Sequence, residues 1–233
     1  MISFNGVTLE NIAPVKIVDI NVYPIKYSAT TRSRAIQYGS EFIRMHGGER
    51  TIAVTFAILD SNMMTRRQAL DAVCEWAKTD AEYRLMIGSE MYRYLTCVCT
   101  SRPEPSTRQW WESKLKIVFT CYNNPYWNSV EEKSVACGTA FTALGDAPPL
   151  MRIERTVSGS AASNQTYSNG AQSMTFSTIP VGNMVIDLNR QTAAVGGTSI
   201  MQYYQPSGSF IIPKTGVQTI TGTGTVKYRE RHE

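Results

Sequence analysis

Arg50-Thr51-Ile52-Ala53-Val54-Thr55-Phe56-Ala57-Ile58 alternates in character along its whole length. Successive side chains of a strand point to opposite faces, so this stretch reads as a strand with Val54 and Phe56 toward a core. Thr55 then faces solvent or a partner. The same period recurs upstream in Val15-Lys16-Ile17-Val18-Asp19-Ile20-Asn21-Val22 and downstream in Lys114-Leu115-Lys116-Ile117-Val118-Phe119-Thr120-Cys121. Tyr92 through Cys99 adds another strand. Directly after the central strand the period changes. Beyond Ser61-Asn62-Met63-Met64, Thr65 and Gln68 have the spacing of a capping box, and Leu70, Val73, Cys74 and Ala77 fall at i, i+3, i+4 and i+7. That spacing predicts an amphipathic helix of about three to four turns, with Trp76 beside the stripe, covering one face of a sheet. The breaker-rich Ser101-Arg102-Pro103-Glu104-Pro105-Ser106 reads as a projecting loop.

Asn123-Asn124-Pro125-Tyr126-Trp127 punctuates the pattern, and helical periodicity does not return after it. Short strands follow between turn clusters at Met151–Arg155, Gln172–Phe176, Met184–Leu188, Ser209–Ile212, Val217–Ile220 and Thr225–Tyr228. About seven or eight strands in roughly a hundred residues mark a sandwich or jelly roll. The Ser/Gly/Asn run from Ser158 to Gly170 reads as a long surface loop. The expected organisation is a domain over 1–128 and a second over 129–233, mainly β with one α-helix.

The composition narrows the function. Of 233 residues, 42% are hydrophobic and 18% charged, enough apolar bulk for two cores and too much for a disordered chain. The net charge of +4 is scattered, without the basic stripe of a nucleic-acid binder. No apolar run approaches a membrane span. Met1-Ile2-Ser3-Phe4-Asn5-Gly6 lacks the basic start and apolar run of a secretory signal, so a soluble cytoplasmic product is expected.

Chemistry is sparse. Cys74, Cys97, Cys99, Cys121 and Cys137 form no C-x-x-C pair, and only His46, in an expected loop, and His232 accompany them, so neither metal nor cofactor is expected. Cys97 and Cys99 share one strand face and are poorly placed to bridge each other, so free buried thiols are the default. No G-x-S-x-G, Walker or H-E-x-x-H pattern occurs. Gly216, Gly222 and Gly224 near Lys214 and Lys227 fit a hairpin without phosphate. Asp187 and Glu154 are a carboxylate pair only by arithmetic, because acid–base work needs a shared cleft. Catalytic, cofactor-binding and metal residues are therefore expected to be none. A rival reading is a carbohydrate-binding β-sandwich used in host-surface adhesion, with Tyr203-Tyr204, Trp127 or Tyr167 as stacking platforms. Packing is the commoner use of such rings.

The order of features resembles the distal tail protein (Dit) family of siphophages. Ser3-Phe4-Asn5-Gly6-Val7 matches its opening strand, Arg50–Val54 a basic residue leading a long strand, and Ala72-Val73-Cys74-Glu75-Trp76 its tryptophan helix. Phe119 through Trp127 matches a strand ending in a P-Y-W-like element. In the second half, Ile186-Asp187-Leu188-Asn189-Arg190-Gln191 and the set Phe210, Pro213, Gly216 and Ile220 match two turn motifs. The resemblance implies an N-terminal β-sandwich with a helix whose copies close into a hexameric ring, and a C-terminal galectin-like sandwich that serves as a docking platform. It implies a structural, non-enzymatic virion protein at the tail tip or baseplate, assembled in the bacterial host cytoplasm. Its partners would be further copies of itself, the tail tube protein and the tail hub or tail-associated protein, with no nucleic acid and no membrane insertion. No inserted carbohydrate-binding module is present.

Overall fold

The computed structural model describes residues 1–33, 40–59, 62–88, 90–103, 114–205 and 208–233. The chain divides into two compact units, Met1–Trp127 with Glu233, and Asn128–His232. Ser61 and the Glu104-Pro105-Ser106 end of the expected loop lie outside the described residues.

The first unit opens with β1 (Ile2–Phe4) and β2 (Val7–Thr8). Phe4 pairs with Val7, so Asn5 and Gly6 form a two-residue turn with φ of +51° and +77°. Positive φ at both positions is the type I′ hairpin geometry that Asn-Gly favours. The chain continues through β3 (Val15–Val22), β4 (Tyr27–Ser33), β5 (Ser40–Gly47), β6 (Arg50–Ile58), α1 (Met63–Trp76), β7 (Tyr83–Ile87), β8 (Arg93–Ser101) and β9 (Leu115–Cys121). A further short strand, β10 (Trp127–Ser129), stands at the division between the units. His46, expected in a loop, lies in β5.

Two antiparallel sheets share β8. Its Leu95, Thr96 and Cys97 pair with β7, whereas Val98, Cys99 and Ser101 pair with β9 across an irregularity at Cys99/Ser101. One sheet runs β3-β6-β9-β8 and the other β8-β7-β1-β2. A strand that changes sheets at a bulge turns the corner of a sandwich. Val54 and Phe56 are fully buried and Thr55 is half-buried on the opposite side of β6. Leu70, Val73 and Ala77 of α1 close over the same core. The helix begins earlier than the Thr65/Gln68 spacing suggests. Asn62 is the N-cap, accepting a hydrogen bond from the Met64 N–H at 2.9 Å, while the Thr65 hydroxyl donates to the Asn62 carbonyl at 3.1 Å. Asn is as good a cap as Thr and stands three residues nearer the strand, so it wins.

The second unit contains β11 (Lys133–Ala136), β12 (Ala140–Ala143), β13 (Ala147–Val157), β14 (Ala162–Ser168), β15 (Ser173–Ile179) and β16 (Gly182–Asp187). It continues through β17 (Thr192–Val195), β18 (Thr198–Ser199), β19 (Tyr204–Gln205), β20 (Gly216–Thr219) and β21 (Thr225–His232). One sheet has the order β18-β17-β16-β13-β21-β11, and facing it lie β14-β15-β19 and the pair β12-β20. Ile153, Ile186 and Val226 from the first side meet Tyr167, Phe176 and Phe141 from the other in one core.

Two expectations fail here. The run Ser158–Gly170 is not a long loop, because its residues 162–168 form β14, paired with β15 through Tyr167↔Met174. Ser209–Ile212 is not a strand. Phe210 and Ile211 are buried there without ladder partners, so burial rather than pairing explains the apolar run. The Asp187 turn forms as its side chains suggest. Its carboxylate accepts from the N–H groups of Asn189 and Arg190 at 3.0 and 2.9 Å, and Thr192 returns opposite Asp187. Asn189 fixes that turn to β13 by accepting from the Met151 N–H at 2.7 Å and donating to the Pro149 carbonyl at 3.0 Å.

Candidate functional site

The candidate site is a surface, because the residues weighed for chemistry are engaged elsewhere. Asp187 spends its carboxylate on the turn just described. Glu154 accepts from Lys227 Nζ at 2.7 Å and from Arg152 Nε at 2.6 Å. Those two bonds, Lys227 first, hold its carboxyl below the usual range, the opposite of what a proton donor needs. Arg152 in turn grips Glu132 with both terminal nitrogens at 2.8 and 2.9 Å, and Arg229 Nε stands 3.4 Å from the same carboxylate. Lys133 and Glu230 add a pair at 2.7 Å. Arg152, Glu154, Lys227 and Arg229 thus share one face of β13 and β21 as interlocked ion pairs with Glu132, whereas Lys133 and Glu230 pair on the other face, beside Tyr228. The alternation of sign at Arg229-Glu230-Arg231 is visible along the chain, but the partners come from residues some eighty to a hundred positions away, which spacing does not reveal.

The proposed sugar platforms are packing residues. Tyr167 is fully buried and its hydroxyl donates to the Thr223 carbonyl at 3.1 Å. Trp127 belongs to the first unit's core. Tyr204 packs between Phe176 and Phe210, with ring centroids 5.8 and 5.6 Å apart, and its hydroxyl donates to the Gly208 carbonyl. Tyr203 ends a single 3-10 turn, Met201–Tyr203, and is half-buried against the same core. None of the four presents both ring faces to solvent.

All five cysteines are free thiols. Among the described residues no three His, Cys, Asp or Glu side chains come together as a metal site, and no helix is long and apolar enough to cross a membrane.

What remains open is backbone. The strands β4 and β5 pair along their whole length, Tyr27↔Gly47 to Ser33↔Ser40, and with no other strand among the described residues. A lone two-stranded hairpin is marginal in water. The strand β3 pairs only with β6, so its far edge is unpaired among the described residues, and Val18 and Val22 are exposed along it. Such an edge is a ready template for another chain. Arg50 adds a third feature. It is 4% exposed, and its Nε and Nη1 have no hydrogen-bond partner among the described residues. Burial lowers the pKa of its guanidinium, and the charge of the nearby Glu233 works in the opposite direction.

Comparison with solved structures matches the whole chain. SPP1 Dit (gp 19.1), a paradigm of hub adsorption apparatus in Gram-positive infecting phages, superposes with a TM-score of 0.74 over 99% of this chain and 98% of its own. This chain has the Dit fold. Identity to SPP1 Dit is 13%, so the likeness lies in the arrangement of strands rather than in shared side chains. A chain of the phage P2 baseplate in its activated conformation with Ca matches at a TM-score of 0.50 and 9% identity, covering 96% of this chain and 92% of that one. No protein-family model matches the sequence, and no curated protein matches it. The Ser3–Val7 stretch forms the β1–β2 hairpin, and Ile186–Gln191 the end of β16 and the turn to β17.

Proposed function

We propose that this chain is a structural component of a bacteriophage tail tip, forming a ring that connects the tail tube to the hub and receptor-binding apparatus. The observation that carries the reading is the fold likeness to SPP1 Dit over both units at once. A likeness confined to one sandwich would suit many functions, because sandwiches host many. The role is structural and non-catalytic, since Asp187 and Glu154 are bound into a turn and an ion-pair ladder. The ring, a hexamer in the Dit resemblance, would be built from the first unit. Copies in a ring meet through two different faces, and the hairpin β4–β5 and the free edge of β3 are two such faces. The second domain, residues 129–233, would be a separately folded platform for further tail proteins.

Light scattering and native mass spectrometry of the full chain, of residues 1–128 and of residues 129–233 test this. The expected result is a ring-sized species for the full chain and for 1–128, and a monomer for 129–233. A full chain with residues 29–45 replaced by a short Gly-containing turn should keep its β-type circular dichroism and lose the ring. Rings from 129–233 alone, or rings that survive loss of the hairpin, would place the interface elsewhere. A full chain that stays monomeric and binds oligosaccharides would favour the adhesion reading instead.

A further inference from the structure

Cys97 and Cys121 stand in the first unit's core, both fully buried. The ladder between β8 and β9 pairs Cys99 with Phe119 and Val98 with Thr120. One step further along the same antiparallel register, Cys97 comes opposite Cys121. Directly opposite residues project on one side of the sheet, with Cα atoms about 4.5–5.5 Å apart. A disulfide spans Cα separations of about 4.4–6.8 Å, so both pairing types fall inside its reach. The other first-unit thiols are differently engaged. Cys99 Sγ donates to the Ser101 carbonyl at 3.5 Å and Cys74 Sγ to the Pro103 carbonyl at 3.6 Å.

We propose that Cys97 and Cys121 are a cross-strand thiol pair that closes to a disulfide when the protein meets a disulfide oxidant such as oxidised glutathione. One thiol, as thiolate, attacks a glutathione sulfur, releases one glutathione thiolate and leaves a mixed disulfide. The opposite cysteine then attacks the protein-side sulfur and expels the second glutathione. Two protein thiols become one disulfide, and one oxidised glutathione becomes two reduced molecules.

The position of the pair controls its rate. A hydrogen bond to Cys121, then burial, holds the Cys97 thiol far above the usual thiol range, so the closed core does not attack oxidants. The pair lies where β8 leaves β7 for β9, since Cys97 still pairs with Tyr83 while Val98 already pairs with Thr120. Opening this end of the β8–β9 ladder exposes both sulfurs together. The bond would tie the two sheets at the strand they share, which leaves the fold unchanged and makes its corner harder to open.

The test uses the full chain in two ways. Folded protein is incubated with oxidised glutathione, and denatured protein is refolded in a mixture of oxidised and reduced glutathione. Both are quenched in acid, denatured, alkylated and mapped by mass spectrometry. The expected outcome is the loss of two of the five alkylatable thiols, found together in a Cys97–Cys121 linked peptide. Bond formation should be fast on refolding and slow in the folded protein, and the linked protein should melt at a higher temperature. Cys99→Ser should leave the link intact, whereas Cys121→Ser should leave glutathione on Cys97. Five free thiols after refolding, a link through Cys99, or stable glutathione adducts on either cysteine of the wild-type chain would overturn the proposal.

Discussion

Phe4→Ala is the sharpest probe of how this chain is built. Phe4 is 1% exposed and sits among three aromatic neighbours. Ring centroids lie 5.8 Å away at Trp76, 5.9 Å at Tyr83 and 4.9 Å at Phe119. Removing a buried phenylalanine ring costs about 3–5 kcal/mol, and the cost rises where the surroundings cannot collapse. Here the three neighbours hang from α1, β7 and β9, so no single shift fills the space. Lost edge-to-face contacts, each worth about 0.5–1.5 kcal/mol, overlap with that figure rather than add to it. The expected loss is therefore about 4 kcal/mol. Against a typical domain stability of about 5–15 kcal/mol, that brings the first unit near its limit. The assay follows from the sequence. All four tryptophans precede residue 128, so their fluorescence in urea reads the first unit, while far-ultraviolet circular dichroism reads both. Phe4→Ala should move the fluorescence transition to lower urea and leave a second, dichroism-detected transition where it was. A loss under about 1 kcal/mol would refute the packing argument. Two probes shifting in step would refute independent unfolding of the units.

Three further outcomes are expected. Residues 129–233 expressed alone should give β-type dichroism and a cooperative melt, and a disordered product would count against the proposed boundary. The lowered Glu154 carboxyl stabilises the fold above the ordinary carboxylate value of 4.5 and loses that contribution as pH falls through its folded value. Glu154→Gln should accordingly be less stable than wild type at neutral pH, with the difference shrinking in acid; an unchanged difference down to about pH 3 would contradict the sign. Gly222→Ala should cost about 1–3 kcal/mol through overpacking, because a Cβ there runs into the Tyr167 ring, and φ of +135° adds strain; urea denaturation of 129–233 reads it, and a neutral result would show that Tyr167 can move aside.

What sequence could read was governed by burial. Strand β6 and helix α1 have one face in the core, and their apolar periods of two and 3.6 announced them. The Asp187 turn was legible because its side chain does a local job. The strand β14 was missed because Ser163, Asn164 and Gln165 carry no apolar period, and its one deeply buried side chain is Tyr167. The cap at Asn62 was missed because a nearby Thr and Gln imitated a capping box. The charge ladder and the Cys97–Cys121 pairing depend on which strands become neighbours, and spacing along one chain does not contain that.

The same rule bears on the hairpin β4–β5. Its sequence, Tyr27-Ser28-Ala29-Thr30-Thr31-Arg32-Ser33 against Ser40-Glu41-Phe42-Ile43-Arg44-Met45-His46-Gly47, shows no sustained alternation. A period of two records a difference between the two faces of a strand. Where one face meets the core of its own chain, that difference is large and the period shows. Where the two faces differ little, the period fades. The hairpin nevertheless pairs through seven registered positions, and the chain spends two strands on building it. A two-stranded pair that joins no larger sheet among the described residues is marginal by itself, and in the proposed ring the next copy would cover it. The second unit differs, since the charged side chains on one face of β13 and β21 pair among themselves and with Glu132. In the proposed ring, the unpaired edge of β3 and the β4–β5 hairpin would therefore supply the contacts, and both belong to the first unit.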